Sequence, residues 1–162
     1  MKRLGIAVIT LAIGVAGCGS DSNPPGGPSN TTVFTVPLSA LNEVPPITNV
    51  ESTARGTAVI TVNSQANTVD FNVSLNSFPT TSTLTAAHIH PGAAGVNGPV
   101  LLGTGLTAGN GPSLASGSAT FSFNAVPATA DQIAQILANP QNFYFNVHTS
   151  ANGSGVIRGQ LR

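Results

Sequence analysis

Three imidazoles and one thiol are the side chains of this 162-residue chain whose type and spacing suggest chemistry. His88 and His90 are separated by one residue. On a β-strand that spacing projects both rings from the same face. His148 closes a second alternating stretch, Phe143-Tyr144-Phe145-Asn146-Val147-His148. Phe143, Phe145 and Val147 are expected on its buried face, leaving Tyr144, Asn146 and His148 on the other. Two imidazoles from one strand and a third from a neighbour would form a three-nitrogen set suited to copper or zinc. An alternative gives the same rings a hydrogen-bonding role, His88 and His90 toward the long loop Pro91 to Pro99 and His148 toward the turn Thr149 to Gly155. Asp70 is the one acidic residue expected inside a strand, so no carboxylate stands out as a fourth ligand.

The thiol is Cys18, the only cysteine. Lys2 and Arg3 precede an uncharged apolar stretch from Leu4 to Val15, which ends in the small residues Ala16 and Gly17 directly before Cys18. That is the layout of a signal peptide, and the stretch is shorter than the roughly 20 residues of a permanent membrane span. Val15-Ala16-Gly17-Cys18 resembles the lipobox of bacterial lipoproteins. The resemblance implies cleavage after residue 17, a diacylglycerol on Cys18 and attachment to a membrane; Gly19 and Ser20 after the cysteine favour the outer membrane if the host is Gram-negative. A single cysteine forms no internal disulfide, so stability in an oxidising compartment must come from packing.

Loss of residues 1–17 leaves Arg55, Arg158 and Arg162 against five acidic residues, a net charge of −2. Nucleic acid is therefore not an expected partner. Charged residues make up 6% of the chain, far below the about 25% of ordinary soluble domains, so the surface is built from Ser, Thr, Asn, Gln and Gly. No Gly-x-Ser-x-Gly elbow occurs. The glycine-rich stretch Gly92 to Gly98 lacks the lysine of a phosphate-binding loop.

Residues 18–30, rich in Gly, Pro, Ser and Asn, read as a lipidated cysteine and flexible tether. Residues 31–162 suit one domain. Period-two alternation predicts half-buried strands at Val69 to Asn76 and Ser118 to Asn124, and similar runs cover Val33 to Leu41, Gly56 to Val62, Leu84 to His90, Val100 to Gly103, Phe143 to His148 and Val156 to Leu161. Ala130 to Asn139 instead spaces Ile133, Ile136 and Leu137 as a helix does, with Thr129 as N-cap and Pro140 as stop. The expected fold is all-β: an antiparallel β-sandwich or Greek-key barrel of about eight strands with one short crossover helix.

Three segments carry a family resemblance: Leu41-Asn42-Glu43-Val44-Pro45-Pro46, then Ala87-His88-Ile89-His90-Pro91-Gly92 with Gly95 to Val100, then Tyr144 to Thr149 with Gly155 to Leu161. Together they resemble the CHRD, or chordin-type, domain, in order from about Thr32 to Arg162. The resemblance implies an extracellular β-domain, a fold and a compartment more than a function. The tether, the weakly charged surface and the missing catalytic set lead to the expectation of a lipid-anchored domain that binds a protein, a polymer or a metal ion and catalyses nothing. Glu43 and Arg158, the charged residues within these motifs, are candidates for a structural ion pair. The histidine layout is also distantly similar to that of Cu,Zn superoxide dismutases, which implies a copper or zinc site with dismutase-like redox activity as an alternative. The chain lacks their fourth copper histidine, zinc cluster and disulfide. A structural role in the cell envelope is the third reading.

Overall fold

The computed structural model describes residues 30–162. The expected signal peptide and the lipidated Cys18, with the tether up to residue 29, lie outside the described residues. Among the described residues, eight strands form one antiparallel sheet: β1 (Thr31–Ser39), β2 (Arg55–Asn63), β3 (Thr68–Asn76), β4 (Leu84–Pro91), β5 (Leu102–Gly103), β6 (Ala119–Pro127), β7 (Phe143–Thr149) and β8 (Ile157–Gln160). The order across the sheet is β5-β4-β7-β8-β1-β2-β3-β6. The sheet curls until its two halves face each other, as the sandwich expectation required. Phe71 of β3 and Phe145 of β7 lie four strands apart, yet their rings stack with centroids 5.7 Å apart.

Alternation explains the core. On β2, Ala58, Ile60 and Val62 are fully buried, and on β3 Val69, Phe71, Val73 and Leu75 are buried, while the intervening residues point outward. Each large apolar side chain removed from water contributes about 1.5–3 kcal/mol. The expected helix is α1 (Ala130–Ala138), which carries the chain from the β6 edge back to β7. Thr129 caps it, and Gln132 closes a capping box with Thr129. Beyond it, Pro140 opens a 3₁₀ turn, Pro140–Asn142, that leads directly into β7.

One strand departs from simple alternation. All seven residues of β7 are buried, Tyr144, Asn146 and His148 included. These three do occupy the face away from the core. However, the segments 40–54, 91–98 and 150–156 fold back over that face and close it from solvent. The candidate chemistry thus lies under a lid of loops, outside the apolar core.

Candidate metal centre

The antiparallel register of β4 on β7 brings the histidines together. His88 sits opposite Asn146, His90 opposite Tyr144, and Ala86 opposite His148. Residues directly opposite share a face, so the three rings and the Asn146 amide emerge on one side. His88 Nδ1 lies 3.0 Å from His148 Nε2. One ligand-type nitrogen from each of His88, His90 and His148 lies within 4.8 Å of the others. Nitrogens bound to one ion at about 2.0–2.1 Å can stand no more than about 4.2 Å apart. The closest pair already meets that limit, and the widest, at up to 4.8 Å, stands just beyond it.

The hydrogen-bonding expectation is met for His90 and His148, whereas His88 turns to His148 and not to the loop 91–99. His90 Nδ1 is 3.0 Å from the Gly98 carbonyl and His148 Nδ1 is 3.1 Å from that of Gly153. A carbonyl oxygen only accepts, so each Nδ1 carries the proton and each Nε2 keeps its lone pair. His90 Nε2 is buried with no hydrogen-bond partner. Backbone carbonyls bonded to the far nitrogen are also what hold metal-binding imidazoles in orientation. Burial pushes the His88 ring down to about 4, helped by His148 and His90 beside it. Burial also lowers His148, against the opposing pull of the Gly153 carbonyl. Near neutral pH these two rings are uncharged and able to bind a cation.

The loop that supplies Gly98 is held by Arg158, a residue of β8 that is 1% exposed. Its guanidinium donates to the carbonyls of Ala93 and Val96, to Asn97 Oδ1 and to Gln160 Oε1, at 2.9–3.2 Å. Its carbon also lies 3.4 Å from the centroid of the Tyr144 ring. Tyr144 stacks on His90 with centroids 4.8 Å apart and an interplanar angle of 3°. Arginine, tyrosine and histidine thus form one column from β8 to β4. The loop that supplies Gly153 is held by Glu51, whose buried carboxylate accepts from Thr149 Oγ1 at 2.7 Å and from Ser82 and Asn152.

The expected Glu43–Arg158 ion pair is not a contact pair. Arg158 spends its hydrogen bonds on the 93–97 loop and Gln160, and Glu43 Oε1 is buried with no hydrogen-bond partner. One guanidinium nitrogen, Nη2, meets both loop carbonyls while Nη1 meets Asn97, which leaves neither terminal nitrogen of the fork to the carboxylate. Burial pushes the Glu43 carboxyl from 4.5 up to about 7, against the charge of Arg158 and the Asn146 side chain beside it. A carboxyl raised in the folded state contributes stability at low pH that is lost as pH climbs from 4.5 through about 7. Glu43→Gln is therefore expected to gain on the wild type by up to about 3 kcal/mol between pH 4.5 and 8. Urea denaturation at both pH values reads this directly, and a stability difference independent of pH would refute it.

The cleft of about 550 Å³ lined by Leu41, Val44, Arg158 and Gln160 lies apart from the imidazoles, none of which lines it. Asn146, Tyr144, Asn97 and Glu51 are structural partners that the sequence reading did not single out. The period-two pattern had placed Asn146 and Tyr144 on the right face. Glu51 carries a weaker signal, being one of only five acidic residues in a chain of low charge.

A family model described as the CHRD domain matches residues 34–161. No curated protein and no solved structure matches the chain, so the distant likeness to superoxide dismutases stands on the histidine layout alone.

Proposed function

The chain belongs to the CHRD domain family, and we propose that its domain is a copper- or zinc-binding module in which His88, His90 and His148 are the ligands. The observation that carries the reading is the convergence of three imidazole nitrogens within 4.8 Å, two of the rings oriented by carbonyls on their far side. Three imidazole nitrogens without a thiolate suit copper(II) and zinc far better than calcium or magnesium, which take oxygen ligands. The Val15 to Cys18 motif supports a lipid-anchored protein of the cell envelope.

The module binds its ion without turnover in this reading. A second reading, dismutase-like redox chemistry, is favoured by the cluster's having three histidines and, among the described residues, no fourth His, Cys or carboxylate, since catalytic sites keep a position open. Binding of an extracellular protein or polymer, or a structural envelope role, would leave the imidazoles without an ion.

Tyr144 is the only tyrosine, and the chain has no tryptophan. Its ring lies 4.8 Å from His90, so its emission reports on the site. One equivalent of copper(II) is expected to quench that emission in a saturable titration, and zinc(II) to compete with it. Absence of saturable quenching, together with no heat of binding for either ion, would remove the metal reading. A superoxide assay on the copper-loaded protein then separates binding from redox turnover.

A further inference from the structure

We infer that Asn146 Oδ1 is the fourth ligand of the site and that Glu43, on the far side of the same amide, is the residue that orients it. This rests on the metal reading above and adds an oxygen donor to the three nitrogens. Asn146 projects from β7 directly opposite His88. Its Oδ1 lies 3.0 Å from His148 Nε2, as far as His88 Nδ1 is from that same nitrogen. Two donors about 3 Å apart subtend roughly a right angle at an ion about 2.1 Å from each, an ordinary angle between neighbouring ligands.

Without a cation, His88 Nδ1 is the donor available to His148 Nε2, and the contact of that nitrogen with Asn146 Oδ1 is left without a proton of its own. His148 places its proton on Nδ1, toward the Gly153 carbonyl. Nε2 therefore meets Asn146 Oδ1 as one acceptor facing another, and turning the amide over would pair an N–H with the lone pair. The other end of the amide opposes that turn. A Cβ built on Gly155 would stand 2.6 Å from both Asn146 Nδ2 and Glu43 Oε1, so these two atoms border one point. Glu43 Oε1 is a buried acceptor without a partner, which faces an N–H favourably and an amide oxygen unfavourably. Glu43 thereby holds the oxygen toward the histidines, where a positive ion resolves the clash of acceptors. Gly155, at φ +131, is the residue whose missing side chain lets the loop close over the pair.

Amide oxygens serve as weak outer ligands in copper sites, so this donor tunes the site more than it fixes the ion. The full-length protein, with Asn146→Asp, Asn146→Leu and Glu43→Gln variants, is titrated with copper(II) and zinc(II) salts at pH 8, and the copper forms are examined by electron paramagnetic resonance. Asn146→Leu is expected to lose about 10–100-fold in affinity and to change the copper signal. Asn146→Asp, nearly the same shape with a charged oxygen, is expected to bind zinc more tightly than the wild type. Glu43→Gln is expected to weaken binding in the wild type and to have no effect in the Asn146→Leu background. Wild-type affinity and spectrum in Asn146→Leu, or wild-type zinc affinity in a folded Asn146→Asp protein, would overturn the fourth-ligand assignment while leaving the three histidines in place. A wild type that binds neither ion overturns the metal reading and this inference together.

Discussion

His90→Ala is expected to weaken copper binding by at least about 100-fold while leaving the metal-free fold nearly as stable as before. The size follows from the place of the ring. Changes to residues behind a ligand cost about 10–100-fold in metal affinity, and loss of a ligand itself costs more. The small effect on folding follows from the orphaned Nε2. In the metal-free protein His90 offers a hydrogen bond to Gly98 and stacking on Tyr144, but it also buries an acceptor with no partner. A buried unsatisfied acceptor costs about 1–3 kcal/mol, which offsets much of what the ring contributes. Calorimetric copper titration beside thermal unfolding of the same sample separates the two effects. Unchanged copper affinity in a folded His90→Ala protein would mean that the ion, if bound, is bound elsewhere.

Arg158→Met has the largest expected effect on folding, on the order of 4 kcal/mol of lost stability. Methionine keeps most of the volume. It abandons the carbonyls of Ala93 and Val96 and the side-chain oxygens of Asn97 and Gln160, and takes the cation off the Tyr144 face. Hydrogen bonds to a charged donor are worth about 1.5–3 kcal/mol each, against a total of about 5–15 kcal/mol for a whole domain. Arg158→Lys is expected to recover little, because a single ammonium nitrogen cannot hold the carbonyls, reach Asn97 as Nη1 does and lie flat on the ring. Urea midpoints of the two variants are the measurement, and a lysine variant within about 1 kcal/mol of wild type would show that the fork geometry is immaterial. Since the same loop presents the Gly98 carbonyl to His90, the methionine variant should also bind copper more weakly.

Much of this molecule is legible from periodicity. Alternation along β2, β3 and β7 depends only on neighbours in sequence, so it locates the strands and their inner faces, and the Thr129 cap and Pro140 locate α1 for the same reason. His88 and His90 share a face by spacing alone. That His148 joins them depends on β7 inserting between β4 and β8, a pairing across more than fifty residues that local pattern does not encode. Family resemblance named the three segments without placing them in space. In the structure Asn97 reaches the Val44 carbonyl at 2.8 Å and Asn42 reaches that of Arg158 at 3.1 Å, which ties those segments into one layer over the site.

The burial of Tyr144, Asn146 and His148 was not legible. An outward strand face is expected to meet water, and anchors such as Arg158 and Glu51, distant in sequence from the loops they hold, draw those loops across it. Glu43 and Arg158 act on each other through space and not in contact, for a related reason. Charge counting pairs opposite signs, but it cannot see that backbone carbonyls of a loop offer a guanidinium more acceptors in better geometry than one carboxylate.

The most direct test of the central claim is anomalous diffraction at the copper edge from crystals of the protein grown with one equivalent of copper(II). A single strong peak is expected about 2.0–2.1 Å from a ring nitrogen of each of His88, His90 and His148. Full copper occupancy at any other site, with His88 still hydrogen-bonded to His148, would contradict it.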